Sequence, residues 1–102
     1  MNALVKAEKN FLVLFLRSSN KQRKGLIEII EKPQVRAIIQ IVYNIIQGYR
    51  PLPVEEKRKL NKKSEFIRDF IGRGLSFKKR KELLKKNYKY ILPFIKAIEN
   101  DL

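Results

Sequence analysis

Apolar residues recur at intervals of three and four positions along most of this chain of 102 residues. That spacing places them on one side of an α-helix, whereas a half-buried strand requires alternation. The most apolar stretch, "PQVRAIIQIVYNIIQ", covers residues 33–47 and is followed by Gly48, a residue type that often terminates helices. We therefore predict an all-α fold, a compact bundle of five or six short helices around this buried central helix. A strand is the alternative for this stretch, because isoleucine and valine also favour strands.

Serine, proline and glycine divide the helical pattern into segments of one predicted domain, residues 1–102. The segments are an N-terminal helix (1–18), a helix pair (19–48), a proline-containing linker (49–53) and two similar basic-apolar helical units (54–74 and 75–102). The predicted N-caps are Ser19 or Asn20, Ser64 and Ser76, because their side-chain oxygens can accept bonds from free N–H groups. The last helix is predicted to continue or to kink at Pro93, which removes one intrahelical bond.

The same periodicity predicts which side chains face the core. In the N-terminal helix they are Leu4, Ala7, Phe11, Leu14 and Leu12. In the last basic helix they are Phe77, Leu84, Tyr88 and Ile91. Most aromatic residues lie on such apolar faces, but Tyr49 follows the central helix at the linker and Tyr90 lies among lysines. These two tyrosines are candidates for stacking on a base or contacting a phosphate.

Two segments of similar sequence suggest a repeated helix-turn-helix unit. "LPVEEKRKLNKKSEFIRDFI" aligns with "LSFKKRKELLKKNYKYILPFI", which superposes Leu60 on Leu83. "SSNKQRKGLIEII" followed by "QVRAIIQIV" is a fainter third copy. In units this short, shared helical patterning explains the similarity as well as duplication does.

The composition argues against enzymatic chemistry. The chain has no His and no Cys, so it lacks the usual general base at neutral pH, the commonest zinc ligand and any disulfide. Its serines resemble caps, and its acidic residues have no paired spacing typical of a catalytic or metal site. We expect no enzyme activity, no metal and no organic cofactor. The apolar run at residues 11–16 is too short for a signal peptide or transmembrane segment, so we expect an intracellular protein.

Positive charge dominates the rest of the chain. Its 24 Lys and Arg residues against 10 Asp and Glu give a net charge of +14, which a polyanion would neutralise. The first basic cluster comprises Lys57, Arg58, Lys59, Lys62 and Lys63. The second basic cluster comprises Lys78, Lys79, Arg80, Lys81, Lys85, Lys86 and Lys89. At helical spacing, a solvent-facing stripe about 16 Å long is predicted for Lys78, Lys81, Lys85 and Lys89.

These clusters favour binding to nucleic acid, most of all double-stranded DNA, without sequence preference. Every cluster member except Lys59 is a candidate phosphate contact. Lysine outnumbers arginine and acts as a point charge without the fork that reads guanine edges. A solvated surface without a ligand is the plainest alternative. A structural protein that binds an acidic partner and self-associates through apolar residues is another, and a cationic membrane-active protein is the third.

A series of short motifs extends over the last two thirds of the chain. They are N-x-x-x-G at 44–48, P-L at 51–52, K-x-K-L at 57–60, L-S-x-K-K-R-K-x-L-L at 75–84 and L-P at 92–93. In order and spacing the series resembles a family of small basic proteins encoded by adintoviruses, Polinton-like elements and related invertebrate viral and transposon DNA. Members carry Gly-Gly before the final apolar segment, where this chain has "NYKY", which puts a hinge or processing site there in doubt.

The resemblance implies a late, virion-associated role in which a small basic core protein neutralises packaged DNA. In the structural alternative, the acidic partner is a capsid or scaffold protein. The expected location within the cell is the nucleus, or else the virion.

Overall fold

Short α-helices form most of the residues that the computed structural model describes, which are 2–48 and 51–102. In chain order they are α1 (Ala3–Ala7), α2 (Lys9–Arg17), α3 (Asn20–Glu28), α4 (Lys32–Ile46), α5 (Val54–Asn61), α6 (Ser64–Ile71), α7 (Phe77–Asn87) and α8 (Leu92–Ala97). Two 3-10 helices, Tyr88–Tyr90 and Glu99–Asp101, precede and follow α8. These ranges contain no strand, so the all-α prediction is confirmed and the strand alternative for the apolar stretch is wrong.

Serine side chains start two of these helices as predicted. Ser19 accepts a bond from the N–H three residues on, and the Gln22 side chain completes a capping box with the N–H of Ser19. Ser76 likewise accepts from the N–H three residues on and starts α7. The prediction for Ser64 is wrong, because Ser64 is the first helical residue of α6. Its N-cap is Lys63, which makes no side-chain capping bond.

The N-terminal segment is two helices and not one. The break is at Glu8, whose backbone angles (φ −101°, ψ 17°) depart from helical values. The predicted core residues Ala7 and Leu14 are exposed, Leu14 by 54%. Val5 and Phe15 are buried in their place. With the buried Leu12, these residues stand at steps of seven and three, so the inward face lies one position away from the predicted one, which Leu4, Ala7, Phe11 and Leu14 defined.

Helix α4 occupies the centre of the fold and contacts α1, α6, α7 and α8. Its inward face is fully apolar, with buried residues Val35, Ala37, Ile38, Ile41, Val42 and Ile45. The opposite side is open, since Tyr43 is 47% exposed and Ile46 is 50% exposed. The predicted central position of α4 is confirmed, but its burial is confined to the inward face, because a chain this short cannot enclose a helix on every side.

The last basic helix ends before Pro93. Helix α7 stops at Asn87, and α8 begins at Leu92 with Pro93 in its first turn. A proline in the first turn has no intrahelical hydrogen bond to lose, so Pro93 starts a helix and does not kink one. The predicted inward face of this segment is confirmed for the buried residues Leu84, Tyr88 and Ile91, with Phe77 half-buried.

The buried side chains belong to one apolar cluster. Phe15, Phe70 and Phe94 are its largest fully buried members. The rings of Phe15 and Tyr88 meet edge to face, with centroids 6.5 Å apart, which joins α2 to the 3-10 helix after α7. Each phenylalanine buried in this way contributes roughly 2–3 kcal/mol relative to exposure. The core thus holds α7 and its neighbours in fixed positions beneath the basic surface.

Candidate nucleic-acid interface

Helix α7 carries most of the second basic cluster. Its inward face includes the buried Leu84 and the half-buried Arg80. The exposed side chains of the cluster on the other faces are those of Lys78, Lys79, Lys85 and Lys86. The core contacts of α7 therefore leave a lysine-rich outer surface, as the sequence predicted.

Arg80 is a structural residue and not a free phosphate contact. Its Nε donates to the Phe70 carbonyl oxygen at 2.9 Å, and its Nη2 donates to the Gly72 carbonyl oxygen. Both carbonyls lie at the end of α6, where the last carbonyls of a helix lack intrahelical partners. We therefore correct the assignment of Arg80, because its guanidinium fixes the turn between α6 and α7.

Lys81 and Lys85 contact a neighbouring helix. Lys81 Nζ donates to the backbone carbonyl oxygen of Glu28, the last residue of α3, at 2.5 Å, and Lys85 forms an ion pair with the Glu28 carboxylate. The hydrogen bond and charge of Lys85, with the charge of Lys81, hold the pKa of the Glu28 carboxyl below its ordinary value. Helix α3 packs beside α7, and two of the four lysines of the predicted stripe contact α3. The stripe is therefore only partly available to a ligand.

Four lysines of the second basic cluster remain available to a ligand. Lys78, Lys79, Lys86 and Lys89 are exposed, and within the described ranges none of them forms an ion pair. Lys89 lies in the 3-10 helix beyond the end of α7, so it does not extend the helical stripe as predicted. Because they are exposed and have no ion-pair partner in those ranges, these four ammonium groups are the strongest candidates for contact with phosphates.

The first basic cluster lies on α5 and at its junction with α6. Lys57, Arg58 and Lys62 are exposed, while Lys59 is 3.9 Å from a carboxylate oxygen of Glu56. Helix α5 packs against α6 and contributes no fully buried side chain. Its cationic side chains therefore project from the edge of the fold.

Lys63 links the first basic cluster to the end of the second. Its ammonium nitrogen lies 5.2 Å from the centroid of the Tyr90 ring, within the range of a cation–π contact. Both residues are half-buried. Lys63 therefore positions Tyr90 and is less free for phosphate than its exposed neighbours. The other predicted tyrosine, Tyr49, lies outside the described residues.

A groove of about 890 Å³ lies where the two clusters meet. Residues of α2, α3, α5 and α8 line it, together with residues of the two 3-10 helices. Its cationic lining residues are Arg17, Arg23, Lys59, Lys89 and Lys96. Its apolar lining residues are Leu16, Pro53, Leu60, Tyr90, Leu92, Pro93 and Ala97. Arg17 and Lys96 were not among the predicted site residues, since only the fold brings these distant positions together.

No protein-family model, no curated protein and no solved structure matches the chain. Within residues 2–48 and 51–102, no three acidic, histidine or cysteine residues are grouped so as to hold a metal ion. In the same part of the chain, no helix has the length and apolar character to cross a membrane. The basic surface is therefore the feature of the described residues that bears most directly on function.

Proposed function

We propose that this protein binds double-stranded DNA without sequence preference, through the exposed lysines of α7 and the adjoining first basic cluster. The observation that carries the proposal is the set of four exposed lysines, Lys78, Lys79, Lys86 and Lys89, that form no ion pair in the described ranges. Three of them lie on one rigid helix whose opposite side is anchored in the core. Phosphate contact would replace the repulsion among these charges with attraction.

The types of side chain present favour contact with the DNA backbone. Lysine contributes a mobile point charge, whereas arginine reads a guanine edge through two parallel hydrogen bonds. Arg80, the arginine of the second cluster, already donates to two carbonyls of the protein. The exposed surface of α7 thus supports electrostatic binding with little discrimination among base sequences, and such binding weakens steeply with salt.

The test replaces Lys78, Lys79, Lys86 and Lys89 together with glutamine. The logarithm of the binding constant for a duplex falls linearly with the logarithm of salt concentration, by about 0.9 for each phosphate contact. Loss of four contacts should therefore reduce that slope by roughly three to four. The loss should be the same for duplexes of different sequence. Circular dichroism should remain unchanged, because all four side chains are exposed.

A matched control removes the same charge elsewhere. Lys6, Lys9, Lys32 and Arg36 are exposed and lie outside both clusters, on α1, α2 and α4. Their replacement with glutamine should change the slope much less. Equal effects of the two variants would mean that overall charge and not this surface governs binding. An unchanged slope in the α7 variant would overturn the proposal.

The resemblance to small basic viral proteins suggests the setting, which we propose is neutralisation of packaged DNA in a virus-like particle. In the structural alternative the same lysines bind an acidic protein. If the variant with four lysines replaced lost binding to a polyglutamate probe but still bound the duplex, that result would favour the structural alternative. Preferential binding to anionic liposomes would favour a membrane surface.

A further inference from the structure

We propose that the groove at the junction of the two basic clusters binds an unpaired nucleotide of a DNA strand. This inference rests on the proposed function and adds a second kind of contact to it. Half of the fourteen lining residues are apolar, and the charged ones stand among them. A concave, partly apolar lining with a few charged groups is typical of a site for a small aromatic ligand. A nucleotide offers such a ligand, because it joins a flat base to an anionic phosphate.

The charges of the groove favour an anion, since five cationic residues line it against two carboxylates, Glu56 and Glu99. Two of its five cationic residues already have carboxylate partners, since Arg17 lies 3.8 Å from Glu99 and Lys59 lies 3.9 Å from Glu56. Arg23 donates to main-chain carbonyls at the end of α2. The other two, Lys89 and Lys96, are exposed and form no ion pair within the described ranges. They are therefore the groups that a phosphate would meet in this groove.

The base would contact the apolar part of the groove. Tyr90 and Pro93 both line it, and the ammonium group of Lys63, which is not a lining residue, lies over one face of the Tyr90 ring and leaves the other face for a base. A ring already fixed in position loses little conformational freedom when a base stacks on it, which favours binding. Stacking of this kind tolerates any base, because every base has a flat face.

An unpaired nucleotide fits this groove better than a base pair does. In a duplex the faces of each base are covered by its neighbours in the stack, so an aromatic side chain reaches them only at an end, a gap or a single strand. Phe77, the aromatic residue beside the exposed lysines of α7, packs against the core, so these lysines suit the outside of a duplex. The protein would thus hold a duplex on α7 and an adjoining single-stranded end in the groove.

The experiment compares two DNA ligands of equal charge. Both carry the same duplex and an overhang of the same length. In one the overhang is made of thymidines, and in the other of abasic residues that retain the phosphates. The wild-type protein should bind the thymidine overhang at least about fivefold more tightly, the lower end of the effect of stacking one base. Tyr90→Leu should bring that ratio close to one, whereas Tyr90→Phe, which retains the ring, should preserve it.

Two further variants separate the groove from α7 and from folding. Lys96→Gln, at an exposed groove position outside both basic clusters, should weaken both overhang ligands and leave binding to a blunt duplex unchanged, since only the overhangs place phosphates in the groove. Lys78→Gln with Lys79→Gln should weaken both ligands equally and preserve the ratio. A wild-type ratio of one, or a ratio that survives in folded Tyr90→Leu, would overturn the groove proposal and leave duplex binding standing. Tight binding to the thymidine overhang with no measurable affinity for a blunt duplex would instead overturn the proposed function.

Discussion

Arg23 and Arg80 occupy equivalent positions in two helix pairs, α2–α3 and α6–α7. Each lies four residues after a serine N-cap, and each donates from Nε and Nη2 to main-chain carbonyls at or just after the end of the preceding helix. For Arg23 the acceptors are Phe15 and Leu16, at 2.8 Å and 2.5 Å. Both arginines are half-buried. These two basic residues thus stabilise the fold, because their guanidinium groups donate to main-chain carbonyls of the protein.

The two helix pairs share a further contact. The rings of Phe11 and Phe15 lie 5.9 Å apart at an angle of 32°, and those of Phe66 and Phe70 lie 5.8 Å apart at 31°. The alignment made from the sequence instead paired the segment from Leu52 with the segment from Leu75, because it matched the spacing of lysines and leucines. The contacts made by the two arginines and the four phenylalanines favour α2–α3 and α6–α7 as the related units.

Replacing Arg80 with lysine should destabilise the protein by about 2 kcal/mol. Lysine keeps the charge but lacks the fork that reaches both carbonyls, and hydrogen bonds from charged donors contribute about 1.5–3 kcal/mol. Urea denaturation followed by circular dichroism measures the change. Lys79→Met, at the exposed neighbouring position, should stay within about 0.5 kcal/mol of the wild type. A stable Arg80→Lys variant would show that the contacts with α6 contribute little.

Replacing Ser76 with alanine should cost about 1 kcal/mol, the usual effect of losing an N-cap hydrogen bond. Ser64→Ala is the matched control, because Ser64 is the first residue of α6 and makes no side-chain capping bond. Thermal or urea unfolding of the two variants should separate them clearly. Equal destabilisation by both would mean that Ser64 also caps α6.

The Glu28 carboxyl should titrate below the ordinary range of a glutamate in an NMR titration, because Lys85 donates to it and Lys81 adds positive charge. A carboxyl whose pKa is lower in the folded state stabilises the fold above its unfolded pKa. That contribution disappears as the pH falls through the folded pKa. Lys85→Gln should raise the pKa towards its ordinary value. Lys86→Gln removes the same charge and should leave the pKa nearly unchanged, and an equal rise in both variants would contradict the specific pair.

Two glycine-to-alanine substitutions should change the stability of the protein in opposite directions. Gly74 has a φ of +87°, so Gly74→Ala should destabilise the protein by about 1 kcal/mol or more. Gly25 lies inside α3, and a Cβ added there would meet nothing within 4 Å. Gly25→Ala should therefore stabilise the protein by up to about 1 kcal/mol. Melting temperatures of the two variants would test this, and a rise for Gly74→Ala would contradict the backbone argument.

Most of the fold was predictable from the helical period of the apolar residues and from the capping residues. The position of α4, the N-caps Ser19 and Ser76 and the inward face of α7 follow from local patterns of three and four residues. The break at Glu8 did not, since no proline or glycine marks it. The outward side of α4 did not either, because periodicity records that a residue is apolar and not whether a neighbour covers it.

The candidate site was predictable only in part. The lysine-rich surface of α7 follows from composition and spacing, and the exposed positions agree. The contact of Lys81 and Lys85 with Glu28 joins residues more than fifty positions apart, and no local pattern can show which helix will lie alongside. The groove has the same origin, since Arg17 and Lys96 reach it only after α2 and α8 have packed together.

The arginine bonds have a consequence for the rate of folding. Arg23 and Phe15 are eight positions apart, and Arg80 and Phe70 are ten apart, so each bond closes a short loop. Short loops cost little chain entropy, and chains rich in nearby contacts fold in microseconds to milliseconds. Each helix pair can therefore assemble early, before α4 gathers the distant parts of the chain. In a strongly cationic polypeptide, early assembly would shorten the time during which exposed apolar residues could drive aggregation once a polyanion neutralises the charges that keep the chains apart.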